Sequence, residues 1–306
     1  GNKKMRVLVT GASGLVAGSA IVQAPPDWQV HAVSRGAAPR PVSNVRWHTL
    51  DPLDAAAFAR CVDTVRPQAM LHIGGNPSID SCERHQEEAW AVNAGWTERV
   101  AQLARAHGAR LVYTSTDNVF DGTAGPYSED AEPRPVNFYG ATKLAGERAV
   151  RAAGVPAVVA RVAIVMGFPM LGDHGGFLVN MAPKWARGEQ TGVPDNEVRT
   201  PVDVVTLGRA LIELAASDYT GTVHLAGTEV GRRNHFVKTL AAALGYDPDL
   251  VVANDPTTIP GRAPRPDDVS LATAQTQRVL RTPLCDVAEG ARRIAAWRDG
   301  AFDTLP

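Results

Sequence analysis

The sequence predicts an α/β protein with a doubly wound parallel sheet. Short apolar runs rich in β-branched residues alternate with stretches of helical spacing through the N-terminal half. Strands that alternate with helices pair in parallel and are joined by right-handed crossovers. Two of the apolar runs, residues 6–10 and 69–73, end in glycines, which permit a tight turn after a strand. The chain of 306 residues is long enough for about two domains.

The predicted elements follow one another regularly as far as residue 165. Asp54 is a candidate helix N-cap, Gly108 ends the next helix, and Gly154 with Pro156 ends the one after it. The strands are predicted at residues 6–10, 29–34, 45–50, 69–73, 110–115 and 157–165, and the helices between them at 54–65, 81–107 and 138–153.

The regular alternation breaks after Gly167, where the chain becomes rich in Gly, Pro and Met. We therefore predict a first domain of residues 1–166, to which residues 198–226 return, and a smaller C-terminal α/β domain of residues 167–197 and 227–306. The elements predicted in this half are helices at 176–187, 201–216, 234–244 and 287–298 and a strand at 222–226.

Composition excludes several classes of protein. Lys+Arg 31 against Asp+Glu 32 gives a net charge of -1, whereas a dedicated binder of nucleic acid or anionic membranes would be more basic. The most apolar stretch, residues 155–171, contains two prolines and an arginine and is not a membrane span. The three cysteines form no CxxC pair, and the histidines show no HExxH spacing. We expect a reduced, cytoplasmic protein with neither disulfides nor a metal site.

The segment after the first strand has the spacing Gly-x-x-Gly-x-x-Ala. Gly11 permits the tight turn, Gly14 lets the backbone approach a pyrophosphate, and the small Ala17 lets the helix pack on the strand. A plain glycine turn is the alternative, but the position between a strand and a helix favours a dinucleotide site. The first domain is thus predicted to bind a dinucleotide in the Rossmann manner. The cofactor residues predicted in this loop are Gly11, Ser13, Gly14, Leu15 and Val16.

The end of the second strand bears on the choice of cofactor. Ser34 and Arg35 stand where an NAD site usually has an acidic residue for the ribose 2′-hydroxyl, and an arginine can pair with a 2′-phosphate. This favours NADP(H), with NAD(H) as the alternative. Asp51 and Pro52, after the third strand, face the adenine ring in this interpretation; otherwise Asp51 is only a turn residue.

Tyr139 and Lys143 are four residues apart, so they share one face of a predicted helix. A lysine cation about 5 Å away would lower the tyrosine pKa by about 2 units, which suits a general acid that protonates a carbonyl oxygen. The lysine is also free to bond the nicotinamide ribose. The alternative is a tyrosine packed under a surface lysine.

Two hydroxyl residues, Ser115 and Thr116, end the fifth predicted strand. Ligands of doubly wound sheets bind outside the carboxyl ends of the strands, so a hydroxyl here can hold the carbonyl for Tyr139. It can equally cap backbone groups at the strand end. Composition does not choose between Ser115 and Thr116.

Seven sequence motifs together resemble those of a known protein family. They are Thr10-Gly-Ala-Ser-Gly14, Ala91-Val-Asn93, Ser115-Thr-Asp-Asn-Val-Phe-Asp-Gly122, Pro126-Tyr-Ser-Glu129, Tyr139-Gly-Ala-Thr-Lys143-Leu-Ala-Gly-Glu147, Arg199-Thr-Pro-Val-Asp203 and Arg265-Pro-Asp-Asp-Val-Ser-Leu271. Over nearly its full length the chain resembles the extended short-chain dehydrogenase/reductases and, within them, the dTDP-4-dehydrorhamnose reductase branch.

The resemblance implies a role for each of these residues. It gives Thr116 rather than Ser115 the hydroxyl role, makes Tyr139 the acid, and makes Lys143 the ribose ligand that tunes the tyrosine pKa. It implies a structural role near the active site for Asn93, and it implies that the second domain, which begins after Gly167, binds substrate. Residues implied to line the cofactor are Gly74, Gly75, Asn93 and Ala163, and those implied to meet the substrate are Phe177, near its nucleotide, and Arg199 or Arg265, at its diphosphate.

The sequence also departs from the branch. Asn118 stands where the branch usually has tyrosine, Ala17 replaces a glycine, and residues 170–174 do not look like the usual substrate loop. The resemblance nevertheless implies an NADP-dependent reductase of a 4-keto group on a nucleotide-linked sugar. The alternatives are an epimerase or dehydratase that retains NAD, and a non-catalytic NADP-binding regulatory subunit. The expected partner is this small-molecule substrate, not nucleic acid or a membrane, and a homodimer is left open.

Overall fold

The computed structural model describes residues 4–300. Its strands are β1 Arg6–Thr10, β2 Gln29–Ser34, β3 Val45–Thr49, β4 Ala69–His72, β5 Arg110–Thr116, β6 Ala157–Val162, β7 Val165–Met166, β8 Thr191–Pro194, β9 Val198–Arg199, β10 Val202–Asp203, β11 Gly221–Leu225, β12 Gly231–Arg232 and β13 Val251–Asn254. Its α-helices are α1 Leu15–Gln23, α2 Ala55–Val65, α3 Ile79–Arg84, α4 Gln86–Trp90, α5 Trp96–Ala106, α6 Phe138–Ala152, α7 Leu178–Ala186, α8 Val204–Ala216, α9 Arg233–Ala243, α10 Ala274–Val279 and α11 Val287–Arg298.

Seven parallel strands form the central sheet in the order β11-β6-β5-β4-β1-β2-β3. From β1 the chain builds outward to β3 on one side and then returns to build from β4 on the other. The predicted doubly wound parallel sheet is therefore confirmed. The strand order reverses between β1 and β4, and ligands of such sheets bind outside the carboxyl ends of strands at this point.

Both faces of the sheet are covered by apolar layers. Along β1, Val7 and Val9 belong to one buried cluster while Leu8 belongs to another, which is the two-residue period of a strand. The first cluster includes residues of α1 and α8, and the second includes residues of α2 and α5. These layers hold the strand ends in fixed positions.

A third buried cluster lies in the C-terminal half, where α7, α9 and α11 contribute Leu178, Phe236 and Ile294. Residues 198–226 lie in the sequence between the two stretches predicted as the second domain. They contribute β11, which pairs with β6 at the edge of the central sheet. In α8, a Cβ on Gly208 would lie 2.1 Å from the Ser19 hydroxyl oxygen, so the two helices are in close contact. The outer ends of the predicted domains, residues 1–3 and 301–306, lie outside the described residues.

Four predicted elements differ from those in the structure. The strand predicted at 157–165 is divided into β6, in the central sheet, and β7, which pairs with β10. The helix predicted at 81–107 is divided into α3, α4, a π-helical turn Ala91–Gly95 and α5, because the backbone of His85 leaves helical geometry at φ -123 and ψ 63. The helix predicted from residue 176 begins at Leu178, since the φ angles of Gly175 and Gly176 are positive. The helix predicted from residue 201 begins after Asp203, whose side chain accepts from Thr206 N and caps it.

Within residues 4–300, no helix combines the length and the apolar character needed to cross a membrane.

Candidate active site

A cavity of about 730 Å³ opens at the carboxyl ends of β1, β4, β5 and β6. It joins the glycine loop after β1 to the predicted catalytic residues and to a group of arginines. The predicted site residues that line it are Gly11, Ser13, Gly14, Leu15, Val16, Gly74, Gly75, Asn93, Thr116, Tyr139, Lys143, Ala163, Phe177, Arg199 and Arg265. Four predicted cofactor residues lie outside its lining: Ser34, Arg35, Asp51 and Pro52.

The glycine loop leaves room for a ligand beside the start of α1. Gly11 has a φ of 65°, and a Cβ on it would lie 2.6 Å from the Cα of Gly74. The two loops can approach this closely because position 11 has no side chain. Thr10 Oγ1 ties them together by accepting from Ile73 N and Gly74 N, at 3.0 Å each. Gly14 is the N-cap of α1, whose first N–H groups are free for an anion.

Arg35, the residue predicted to pair with the 2′-phosphate of NADP, lies at the surface. Arg35 and Asp51 form an ion pair of 3.7 Å between side chains that are 62% and 61% exposed, which is weak in water. Asp51 also accepts from Leu53 N at 3.0 Å. This bond corresponds to the alternative interpretation of Asp51 as a turn residue. Ser34 is buried and accepts from Gly36 N, and the carbonyl of Pro52 accepts from Arg99.

The hydroxyls of Ser115 and Thr116 have different partners. Ser115 Oγ donates to Glu147 Oε2 at 2.6 Å, which commits it to a buried carboxylate. Thr116 Oγ1 accepts from Asn118 N at 3.1 Å and shares a hydrogen bond with the hydroxyl of Tyr139. The geometry therefore favours Thr116 as the hydroxyl that faces a ligand.

Tyr139 lies in the first turn of α6, which begins after the N-cap Asn137. Burial raises the pKa of Tyr139; the hydrogen bond with Thr116 opposes this shift, and the charge of Asp117 adds to it. The sequence had instead predicted a pKa lowered by Lys143. The difference arises because the predicted shift took no account of burial, which disfavours the phenolate. In this environment Tyr139 holds its proton.

Lys143 is buried one turn further along α6. Its Nζ lies 4.6 Å from the ring centroid of Tyr113, a cation–π contact. Burial lowers the pKa of Lys143 to about 8, while the carboxylate of Glu147 raises it. The lysine therefore remains mostly protonated near neutral pH and can donate to a ligand.

Glu147 is part of a buried layer behind the predicted catalytic residues. Arg161 donates to both of its carboxylate oxygens, through Nη2 at 2.9 Å and Nε at 3.0 Å. Burial favours the protonated acid, but the hydrogen bonds and charge of Arg161 bring the pKa of Glu147 below its ordinary value. A charged Glu147 thus fixes β5, β6 and α6 relative to one another.

Asn93 lies in the π-helical turn and its amide is fully engaged. Nδ2 donates to Asn76 O and to Thr142 Oγ1, both at 3.1 Å, and Oδ1 accepts from Asn76 N at 2.8 Å. A Cβ on Gly75 would lie 2.7 Å from this oxygen. Asn93 therefore holds the loop after β4 against α6, the structural role that the resemblance implied.

Asp117 was not predicted as a site residue, although it lines the cavity beside Thr116. Its Oδ1 accepts from Asn118 Nδ2 at 3.1 Å, but its buried Oδ2 has no hydrogen-bond partner within residues 4–300. Burial raises the pKa of Asp117 to about 6, against the charge of Arg199. A buried acceptor without a partner is costly and calls for a donor from a ligand. The sequence could have indicated Asp117 as a site residue, because it directly follows the two hydroxyl residues at the end of a predicted strand.

Arg199 and Arg265, which were predicted to meet the substrate diphosphate, both line the cavity and are hydrogen-bonded to the protein. Arg199 donates to three backbone carbonyls at 2.8–3.0 Å, and Arg265 donates to both carboxylate oxygens of Asp80. Two further lining residues, Arg233 and Glu197, were missed and form an ion pair of 3.2 Å. Nothing in the sequence brings these two together, since they are 36 residues apart. Within the described part of the chain there is no cluster of three His, Cys, Asp or Glu side chains suited to a metal.

Comparison with known proteins gives consistent results. The chain is 30% identical over 286 residues to a dTDP-4-dehydrorhamnose reductase of Mycobacterium tuberculosis, covering 91% of this chain and 88% of the relative. It is 29% identical over 290 residues to the methionine adenosyltransferase 2 subunit beta of Xenopus laevis, covering 91% and 84%. The crystal structure of a Bacillus anthracis dTDP-4-dehydrorhamnose reductase in complex with NADP has a TM-score of 0.83 at 23% identity, covering 95% of this chain and 99% of that one. A family model, the RmlD substrate binding domain, matches residues 5–297. The predicted resemblance is thus confirmed, and the chain belongs to the RmlD substrate-binding domain family.

Proposed function

We propose that the protein is an NADP-dependent reductase of a 4-keto group on a nucleotide-linked sugar. The observation that carries this proposal is the convergence of Thr116, Tyr139 and Lys143 with the glycine loop in one cavity. A regulatory site needs only the loop, whereas the three side chains supply what carbonyl reduction requires. The relatives in the family include dTDP-4-dehydrorhamnose reductases, and they support the same class of reaction.

The chain's own groups fit a dinucleotide. The close approach of Gly11 and Gly74 leaves a cradle that a Cβ would fill, and the N-terminus of α1 opens into it. When bound, NADPH supplies the hydride that the carbonyl carbon receives. Lys143 would donate to the nicotinamide ribose, and Arg35 would pair with the 2′-phosphate. NAD(H) is the alternative cofactor.

The protein residues then manage the proton. The Thr116 hydroxyl orients the carbonyl oxygen, and the Tyr139 hydroxyl transfers its proton to that oxygen as negative charge develops there. Because burial keeps Tyr139 protonated, the acid is ready before the substrate binds. The unpartnered Oδ2 of Asp117 accepts a hydrogen bond from a hydroxyl of the same sugar, which helps to select a sugar as substrate.

A substrate panel tests the proposal. The protein is mixed with several 4-keto nucleotide sugars and either NADPH or NADH, and absorbance at 340 nm is followed. We expect stoichiometric oxidation of NADPH with at least one member of the panel. An epimerase or dehydratase that retains NAD would convert a substrate with no net change at 340 nm, and that result would replace the proposal.

A second candidate is a non-catalytic regulatory subunit. It is favoured by the similarity of this chain to methionine adenosyltransferase 2 subunit beta. That similarity is about as high in identity and coverage as the similarity of this chain to the reductases. This candidate predicts a stoichiometric protein partner that co-purifies with the chain and changes activity on binding. It also predicts that Tyr139→Phe has no effect on that partner's activity.

Location and assembly complete the proposal. The net charge of -1 and the nucleotide cofactor fit a cytoplasmic enzyme acting on a small molecule, without nucleic acid or membrane as a partner. A homodimer is the assembly that we propose. Light scattering on the purified protein measures its mass in solution directly.

A further inference from the structure

Three arginines line the cavity, and they differ in how many of their N–H groups are already used. Each guanidinium carries five N–H donors. Arg199 donates to three backbone carbonyls. Arg265 donates to the Asp80 carboxylate and to the Ala263 carbonyl. Each of these two side chains therefore makes three hydrogen bonds to the protein, which fix its guanidinium in place.

Arg233 is different. Within the described residues its hydrogen-bond partner is Glu197, reached through Nη1 at 3.2 Å, and its buried Nε has no partner at all. Its side chain is 23% exposed, and it borders the same cavity as Tyr139. Among residues 4–300, Arg233 therefore has one side-chain hydrogen bond to the protein, where Arg199 and Arg265 have three each.

The charge around Arg233 is also incompletely balanced. Glu197 is its counter-ion but is shared with Arg262, which makes a second ion pair to the same carboxylate. Burial lowers the pKa of Arg233, Glu197 raises it, and the neighbouring charges of Arg199 and Arg262 lower it again. Because Arg233 shares its one carboxylate with Arg262, an anion that enters the cavity would stabilise its charge.

We propose that Arg233 binds the phosphate groups of the nucleotide-linked substrate, with Glu197 holding it in position. This inference rests on the proposed function and gives Arg233 the role that the sequence assigned to Arg199 or Arg265. A guanidinium held on one edge by a carboxylate presents its other edge to a phosphate, which it can engage through two N–H groups. Arg199 and Arg265 build the wall in which it sits.

Calorimetric titration tests the assignment with dTDP and UDP as probes and with thymidine and uridine as phosphate-free controls. We expect Arg233→Gln to weaken nucleotide diphosphate binding by about ten- to a hundredfold, the range for a charge-assisted hydrogen bond. Nucleoside binding should be unchanged. Arg233→Lys should recover part of the affinity, because lysine keeps the charge but loses the planar fork.

Arg262→Gln is the matched control, since it removes the other arginine on Glu197 but does not border the cavity. It should bind dTDP within about threefold of wild type, because Glu197 still pairs with Arg233 and the residues that line the cavity are unchanged. NADPH affinity should be the same in all variants and reports correct folding. Unchanged dTDP binding in Arg233→Gln, an equal loss in Arg262→Gln, or a wild type that binds neither diphosphate would each overturn the assignment. If wild type binds dTDP through Arg233 but reduces no 4-keto nucleotide sugar, only the proposed function fails.

Discussion

The hydroxyl of Ser115 donates to the carboxylate of Glu147 at 2.6 Å, one residue before the hydroxyl of Thr116 that bonds with Tyr139. Side chains alternate across a strand, so adjacent hydroxyls point to opposite sides of β5. One strand end thus supplies a structural hydroxyl and a ligand-facing hydroxyl in succession. The two roles can be separated by mutation.

We predict that Thr116→Ala lowers kcat/KM by about tenfold or more, the worth of one hydrogen bond to a developing charge. Thr116→Ser keeps the hydroxyl and should stay within a few-fold of wild type. Ser115→Ala should leave kcat/KM within a few-fold of wild type but reduce stability by about 1–3 kcal/mol, because Glu147 Oε2 loses a buried donor. Steady-state kinetics and urea unfolding measure the two effects. A reversed pattern would assign the catalytic hydroxyl to Ser115.

The second prediction concerns Arg35. Arg35→Ala should weaken NADPH binding by about ten- to a hundredfold and leave NADH binding unchanged, because only NADPH carries a 2′-phosphate. Raising the salt concentration should reduce the wild-type preference, since Arg35 is 62% exposed and its charge is screened. Fluorescence titration with both cofactors checks this. Equal affinities for the two cofactors in wild type would contradict the choice of NADP.

The sequence predicted well those features that depend on local patterns. The strands from Arg6 to Thr10 and from Gln29 to Ser34 match the structure, because apolar runs between turn signals specify buried strands. The loop at Gly11 was also found, since positive φ at a strand end requires glycine.

Features that depend on distant residues were not predicted. The break at His85 lies within a continuous helical pattern, and the sequence carries no glycine or proline there. The pairing of Glu197 with Arg233, and the burial that governs the pKa of Tyr139, are consequences of tertiary packing. Spacing and the family resemblance therefore predicted side chains that the structure brings together at the cavity, but not the electrostatic environment that sets their protonation.

The third prediction concerns stability and pH through Asp117. Its pKa is raised from 3.8 to about 6 by burial, so between these values the folded protein binds more protons than the unfolded chain. The contribution of Asp117 to stability therefore falls as pH rises from about 4 to 6. Asp117→Asn should raise the free energy of unfolding of the ligand-free protein at pH 7.5 by up to about 3 kcal/mol, and much less at pH 4.

The same substitution should impair the reaction. The asparagine amide can turn a donor toward the cavity, so it no longer reliably accepts from a sugar hydroxyl, and KM should rise by about tenfold. Thermal melts at the two pH values and kinetics at pH 7.5 give both readings. A variant that is less stable at pH 7.5 would show that the buried carboxylate has a stabilising partner in the ligand-free protein.

The last prediction is that Tyr139→Phe lowers the rate of hydride transfer by about 10²- to 10⁴-fold, the usual contribution of a positioned acid. The substitution removes only the hydroxyl, so the melting temperature and NADPH affinity should stay close to wild type. Tyr219→Phe is the matched control, because its hydroxyl makes a long 3.4 Å bond to Thr222 O and does not border the cavity. Single-turnover absorbance at 340 nm, with each variant saturated in NADPH, isolates the chemical step from binding. If Tyr139→Phe transfers hydride as fast as the Tyr219→Phe control, the tyrosine is structural, and the regulatory-subunit function becomes the better account of the site.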